Sequence, residues 1–110
     1  MKTIPFEDYL YKKLKDPDYA IGYLGDVFED GTCDEILLAI QDILKANGGL
    51  GRFATKLDIS RPSLYKLFAE NGHRNPYFRT VLNIFENIGI GFKPYLKDPK
   101  VFAEMTEESD

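Results

Sequence analysis

Apolar residues recur along most of this chain at intervals of three and four, the spacing that lines one face of an α-helix. Between Pro5 and Lys15 they are Phe6, Tyr9, Leu10 and Leu14, and Pro5 suits a first helical turn. Asp16-Pro17-Asp18 reads as a cap with proline at the first helical position, followed by Ala20, Ile21, Leu24, Val27 and Phe28 on one face as far as Gly31. Thr32 and Glu35 have the spacing of a capping box. Behind them Ile36, Leu37, Ile40, Ile43 and Leu44 form the stripe of a third helix that stops at Asn47-Gly48-Gly49.

From Leu50 the pattern shortens. Arg52 to Leu57 is about two turns, Asp58-Ile59-Ser60 is a tight connection, and Arg61 to Glu70 is a helix with Pro62 in its first turn, stopped by Asn71-Gly72. Asn75-Pro76 then predicts a cap and first residue, with Phe78, Val81, Leu82, Ile84, Phe85 and Ile88 facing inward until Gly89. Ile90 to Tyr95 alternates, so a short strand or extended arm is expected, confined to an edge by Pro94. The pattern predicts an all-α fold: a helical extension over residues 1–31, a compact helical domain over 32–96, and a disordered or weakly helical acidic tail over 97–110.

A length of 110 residues fits one domain with one core. The lone cysteine, Cys33, cannot form an internal disulfide, and no basic-then-apolar leader or bilayer-length apolar run is present, so a cytoplasmic protein without membrane contact is expected.

The net charge of −4 hides a segregation of sign. Residues 1–48 carry five Lys/Arg against ten Asp/Glu, residues 49–97 eight against three, and residues 98–110 one against five. A basic middle between acidic ends suggests a segment that faces a polyanion and an acidic surface for some other partner, with ordinary solvated charge as the alternative.

The basic middle contains two short helices meeting through a tight turn, LGRFATKLDISRPSLYKLFAE over residues 50–70, which reads as a helix-turn-helix. Phe53, Ala54 and Leu57 face the core from the first helix, Ile59 plugs the turn, and Leu64, Leu67 and Phe68 anchor the second. That leaves Arg61, Pro62, Ser63 and Lys66 at the end that enters a major groove as the candidate base-reading residues. Arg61 has the geometry to grip guanine bidentately. Arg52, Tyr65, His73, Arg74 and Asn75 surround that helix as candidate phosphate contacts, where they would position the protein without reading sequence. Double-stranded DNA, bound as a homodimer whose half-sites lie about 10 base pairs apart, is the expected partner. Ile90, Phe92, Tyr95 and the exposed face of the helix from Pro76 to Ile88 are the candidate dimer surface, with a place in the core as their alternative.

Residues 33–92, including NPYFRTVLNIFENIGI after the second motif helix, resemble the lambda-repressor-like, XRE-type helix-turn-helix domain. More closely, the stretch from Phe6 to Leu10, that from Asp18 to Leu24, and Leu50 to Leu96 resemble the phage-related addiction-module antidotes, the antitoxins of type II toxin-antitoxin modules. The resemblance implies that the chain neutralises a small basic RelE/HigB-like ribonuclease toxin and represses their shared operon. It also implies that Arg61, Pro62, Ser63 and Lys66 fall at recognition positions, and Arg52 at the start of the helix abutting the backbone. The chain departs from the pattern at Gly51-Arg52, where many such domains carry Gln, and at Pro62, where a small polar residue is usual. A phage or housekeeping regulator of the same type without a toxin partner is the alternative reading. For the toxin contact, the acidic Glu7, Asp8, Asp16, Asp18, Asp26, Glu29 and Asp30 are candidates, with exposed members of the set Tyr9, Tyr11, Tyr19 and Tyr23; a place in the core is the alternative for Tyr9 and Tyr23.

The remaining motifs argue against catalysis. Ser63-Leu64-Tyr65-Lys66 matches S-x-x-K, but its companion motifs S-D-N and K-T-G are absent. A calcium loop from Asp26 fails at Phe28 and Leu37, where oxygen ligands are needed, and the glycines at 48, 49 and 51 lack the following Gly-Lys-Ser/Thr of a phosphate loop. His73 is the only histidine. No enzymatic activity, metal site or cofactor is expected.

Overall fold

The computed structural model describes residues 6–69 and 75–107, and among them every regular element is a helix: α1 (Phe6–Lys13), α2 (Pro17–Asp30), α3 (Cys33–Ala46), α4 (Leu50–Lys56), α5 (Arg61–Phe68), α6 (Phe78–Ile88) and α7 (Pro99–Glu107). The fold is all-α, consistent with the helix-turn-helix type of domain that the pattern predicts. No helix among the described residues is long and apolar enough to cross a membrane.

Local chemistry sets the helix starts. The Asp16 side chain accepts from Asp18 N–H with Pro17 at the first position of α2, and Thr32 and Glu35 form the full capping box of α3. α3 is the hub. Its buried Leu37, Ile40, Ile43 and Leu44 meet α1, α2, α4 and α5, and the Asn47 amide at its end donates to the Leu14 carbonyl at 3.2 Å, fixing the end of α1 against it. At Gly48 and Gly49 φ is +129° and +91°, which only glycine adopts without strain.

Some apolar positions expected inside are not there. Phe6 and Phe78 are largely exposed, and Ile21 and Leu82 lie at the surface. Helix α6 begins at Phe78 because Tyr77 is extended (φ −65°, ψ 140°) and caps it without a side-chain bond. Asn75-Pro76 therefore precedes the helix and does not cap it. Within the expected tail, residues 99–107 form α7, started by Asp98, whose carboxylate accepts from Lys100 N–H at 3.0 Å. It buries none of its residues. The radius of gyration is 16.9 Å and the longest extent 62 Å, against about 13 Å for a fully compact chain of about this length.

One half-buried polar pair links α2 to α3. Tyr23 Oη donates to Asp42 Oδ2 at 3.1 Å. Burial, then the Asp42 charge and that hydrogen bond, push the Tyr23 hydroxyl up to about 12 from its ordinary 10.0. Its folded value exceeds its unfolded one, so its contribution to stability is fully present below pH 10 and is lost as the pH rises through about 12. Urea titrations between pH 8 and 12 are expected to show stability falling above pH 10, and Tyr23→Phe to flatten the fall. Some slope should persist, since burial also raises Tyr11 and the hydrogen bond to Glu29 raises Tyr95. At neutral pH the same variant leaves Asp42 unbonded and should cost roughly 1 kcal/mol.

Candidate nucleic-acid interface

Helices α4 and α5 pack directly on one another, and the chain between them turns through Leu57, Asp58 and Ile59. Asp58 is left-handed (φ 57°), a conformation that Asp tolerates better than most residues. It lets Asp58 N–H reach the Thr55 carbonyl and Ile59 N–H the Ala54 carbonyl at 2.9 Å, the paired bonds of a Schellman ending. The chain then re-enters helix at once. Ala54 is fully buried where the two helices approach, and Leu64 and Phe68 seat α5 in the core.

Ser60 caps α5. Its Oγ accepts from Ser63 N–H at 3.2 Å and shares a hydrogen bond with Ser63 Oγ at 2.7 Å. Pro62 lies in the first turn, where its missing N–H would have had no partner within the helix, so it weakens nothing. Arg61, Pro62, Ser63, Tyr65 and Lys66 are all exposed, as the pattern predicts.

Two arginines lie over glycines, Arg61 over Gly51 in α4 and Arg52 over Gly48 after α3. A Cβ built on Gly51 would stand 3.1 Å from Arg61 Cζ and 3.3 Å from both Nε and Nη2, so the guanidinium rests over the bare backbone of α4. A Cβ on Gly48 would meet Arg52 Cδ at 2.7 Å and Nη1 at 2.8 Å. A side chain at position 51 would therefore crowd the Arg61 side chain from α5. The surface can offer the Arg61 guanidinium, the Ser63 hydroxyl and the Lys66 ammonium, a set suited to phosphates and base edges, whereas Arg52 lines a separate depression with Leu14, Pro17 and Ile21.

A family model described as "Probable addiction module antidote protein" matches residues 5–95. The chain belongs to this antidote family. Neither a curated protein nor a solved structure gives a significant match.

The antidote's other expected contacts distribute unevenly. Asn75 is exposed and shares a shallow depression with Ser63 and Lys66, whereas His73 and Arg74 lie outside the described residues. The carboxylates at 7, 8, 16, 18, 26, 29 and 30 are exposed; Asp16 is engaged as a cap. Tyr9 and Tyr19 are exposed, with Lys13 Nζ 5.5 and 5.9 Å from their ring centroids, while Tyr11 and Tyr23 are half-buried.

The residues expected at a dimer surface make contacts within the chain. Ile90 packs on the core, and the Phe92 ring meets Phe85 edge-on at 4.5 Å and Phe28 at 5.4 Å. Tyr95 Oη donates to the Glu29 carboxylate. The reason is the left-handed Gly89 (φ 75°), which turns the chain after α6 so that the arm runs back to the end of α2. Phe92 and Tyr95 nevertheless stay 48% and 64% exposed, and Tyr77, Phe78 and Leu82 leave a further apolar face open at α6.

Sequence reasoning missed three things here. Ser60 is a cap as well as a turn residue, and the Ser-x-x-Ser spacing signals it. Lys56 Nζ donates to the Asn87 carbonyl at 2.8 Å, tying α4 to α6, which no local pattern reveals. Gly51 makes room for Arg61, and only the three-dimensional placement shows that.

Proposed function

We propose that this antidote is a non-enzymatic cytoplasmic protein that binds double-stranded DNA through α5, represses its own operon as a homodimer, and neutralises a RelE/HigB-like toxin. The observation that carries the DNA-binding part is the exposed first turn of α5, with the Arg61 guanidinium over Gly51 and the Ser63 and Lys66 side chains exposed. In this reading Arg61, Ser63 and Lys66 face base edges, and Arg52, Tyr65 and Asn75 hold phosphates. Pro62 supplies shape and apolar contact. The Tyr77, Phe78 and Leu82 face pairs the protomers. The exposed carboxylates of α1 and α2 complement a toxin that must be basic to handle RNA, so opposite charge speeds their encounter.

The test is a fluorescence-anisotropy titration against the duplex upstream of the chain's own gene and a scrambled duplex, at two salt concentrations. Discrimination of about a thousandfold or more is expected. Equal, steeply salt-dependent binding to both duplexes would mean that the surface holds only phosphate and would overturn operator recognition.

A further inference from the structure

Helix α7 is amphipathic, and among the described residues nothing buries its apolar side. Val101, Phe102 and Met105 share one face at helical spacing and are 53%, 57% and 64% exposed, with Glu104 and Glu107 on other sides. A nine-residue helix that buries none of its residues has little to hold it beyond its cap, since isolated helices of this length are marginal in water. Such an element gains its burial from a partner.

The root of α7 says which kind of partner. Phe92 in the arm packs on Phe28, Tyr95 bonds Glu29, and Lys97 Nζ donates to the Glu29 carbonyl at 3.1 Å, so α7 starts beside the acidic end of α2. Around this root the exposed carboxylates Asp26, Glu29, Asp30 and Asp98, with Glu104 and Glu107 on α7, outnumber the cations Lys93, Lys97 and Lys100, so the arm and the end of α2 together carry a net negative charge. The complementary surface is a basic protein with an apolar groove, the helix-in-groove mode of recognition. A second copy of this chain fits less well, because the open face of α6 carries one charge of each sign, Arg79 and Glu86, beside Leu82. One short helix also supplies only part of the roughly 800 Å² per partner that a stable interface needs, so the contact takes in the end of α2 as well.

We propose that α7 is a docking arm that seats Val101, Phe102 and Met105 in an apolar groove of the basic toxin, with the acidic end of α2 closing the interface. This rests on the toxin-neutralising reading above. The experiment is isothermal titration of the full chain, and of its Phe102→Asp/Met105→Asp variant, into the purified basic protein encoded by the adjoining reading frame. Light scattering on each antidote alone accompanies it. Both positions are exposed, so circular dichroism and operator affinity should not change, while toxin affinity should fall at least about 30-fold. Glu104→Lys/Glu107→Lys should instead slow association and weaken its salt dependence. Undiminished affinity of the apolar variant for a toxin that the parent binds would overturn the docking arm and leave the antidote reading standing. No binding by the parent chain would overturn both. Lost self-association with toxin affinity intact would assign the face to a second copy.

Discussion

Phe85→Ala is expected to lower stability by about 3–5 kcal/mol, a large share of the roughly 5–15 kcal/mol typical of a domain. The Phe85 side chain is 1% exposed, and its ring lies 4.5 Å from that of Phe92 and 6.3 Å from that of Phe28. It therefore joins α6, the C-terminal arm and α2 at one point. Truncation removes the transfer free energy of the ring and leaves a cavity that three separately anchored elements cannot close. At about 4–8 °C per kcal/mol for a domain of about this size, the midpoint should drop by more than about 10 °C. Phe78→Ala, measured at a concentration where the chain is monomeric, is the matched control, because the same residue type on the same helix is 72% exposed and should there change stability by about 0.5 kcal/mol or less. Urea denaturation of the two variants decides it: a Phe85 loss no larger than that of Phe78 would mean that α6 is not held by this contact.

That contrast between Phe78 and Phe85 also marks what the sequence could convey. Helical spacing identified α6 and put both phenylalanines on its apolar side, but spacing has no means of saying how far along the helix that side is covered. The arm after Gly89 covers the C-terminal end bearing Phe85 and leaves the N-terminal end bearing Phe78 open. Capping was legible wherever its chemistry is local, as at Asp16-Pro17 and Thr32-Glu35. It misled at Asn75-Pro76, where the sequence fits a helix start and the extended backbone of Tyr77 delays it by two residues. The turn between α4 and α5 was placed correctly by its flanking apolar residues, although its left-handed residue is Asp58 and no glycine announces it. For the candidate site, exposure of Arg61, Ser63 and Lys66 followed from periodicity. The relation of Arg61 to Gly51 did not, because it joins two helices through a space ten residues distant in sequence.

That relation gives the second large effect. Arg61→Ala is expected to weaken operator binding by about 1–3 kcal/mol, roughly 5- to 150-fold, and to relax preference at one base pair, the signature of a lost bidentate base contact. Arg52→Ala should weaken all duplexes alike and reduce the slope of log affinity against log salt by about one, as a lost phosphate contact does. Gly51→Ala separates stability from recognition. Alanine in place of glycine within a helix gains about 0.5–1 kcal/mol, and the atom it must displace belongs to the end of a flexible exposed side chain, so the fold should become more stable. The added methyl would nevertheless stand only 3.1 Å from the guanidinium carbon, so Arg61 must shift by a few tenths of an ångström from its place over α4. Operator affinity should then fall while the melting temperature rises, two readouts moving in opposite directions from one methyl group. If Gly51→Ala raised the melting temperature and left operator affinity and base preference unchanged, the resting place of Arg61 would be incidental to recognition, and the base contact would have to come from Ser63 or Lys66.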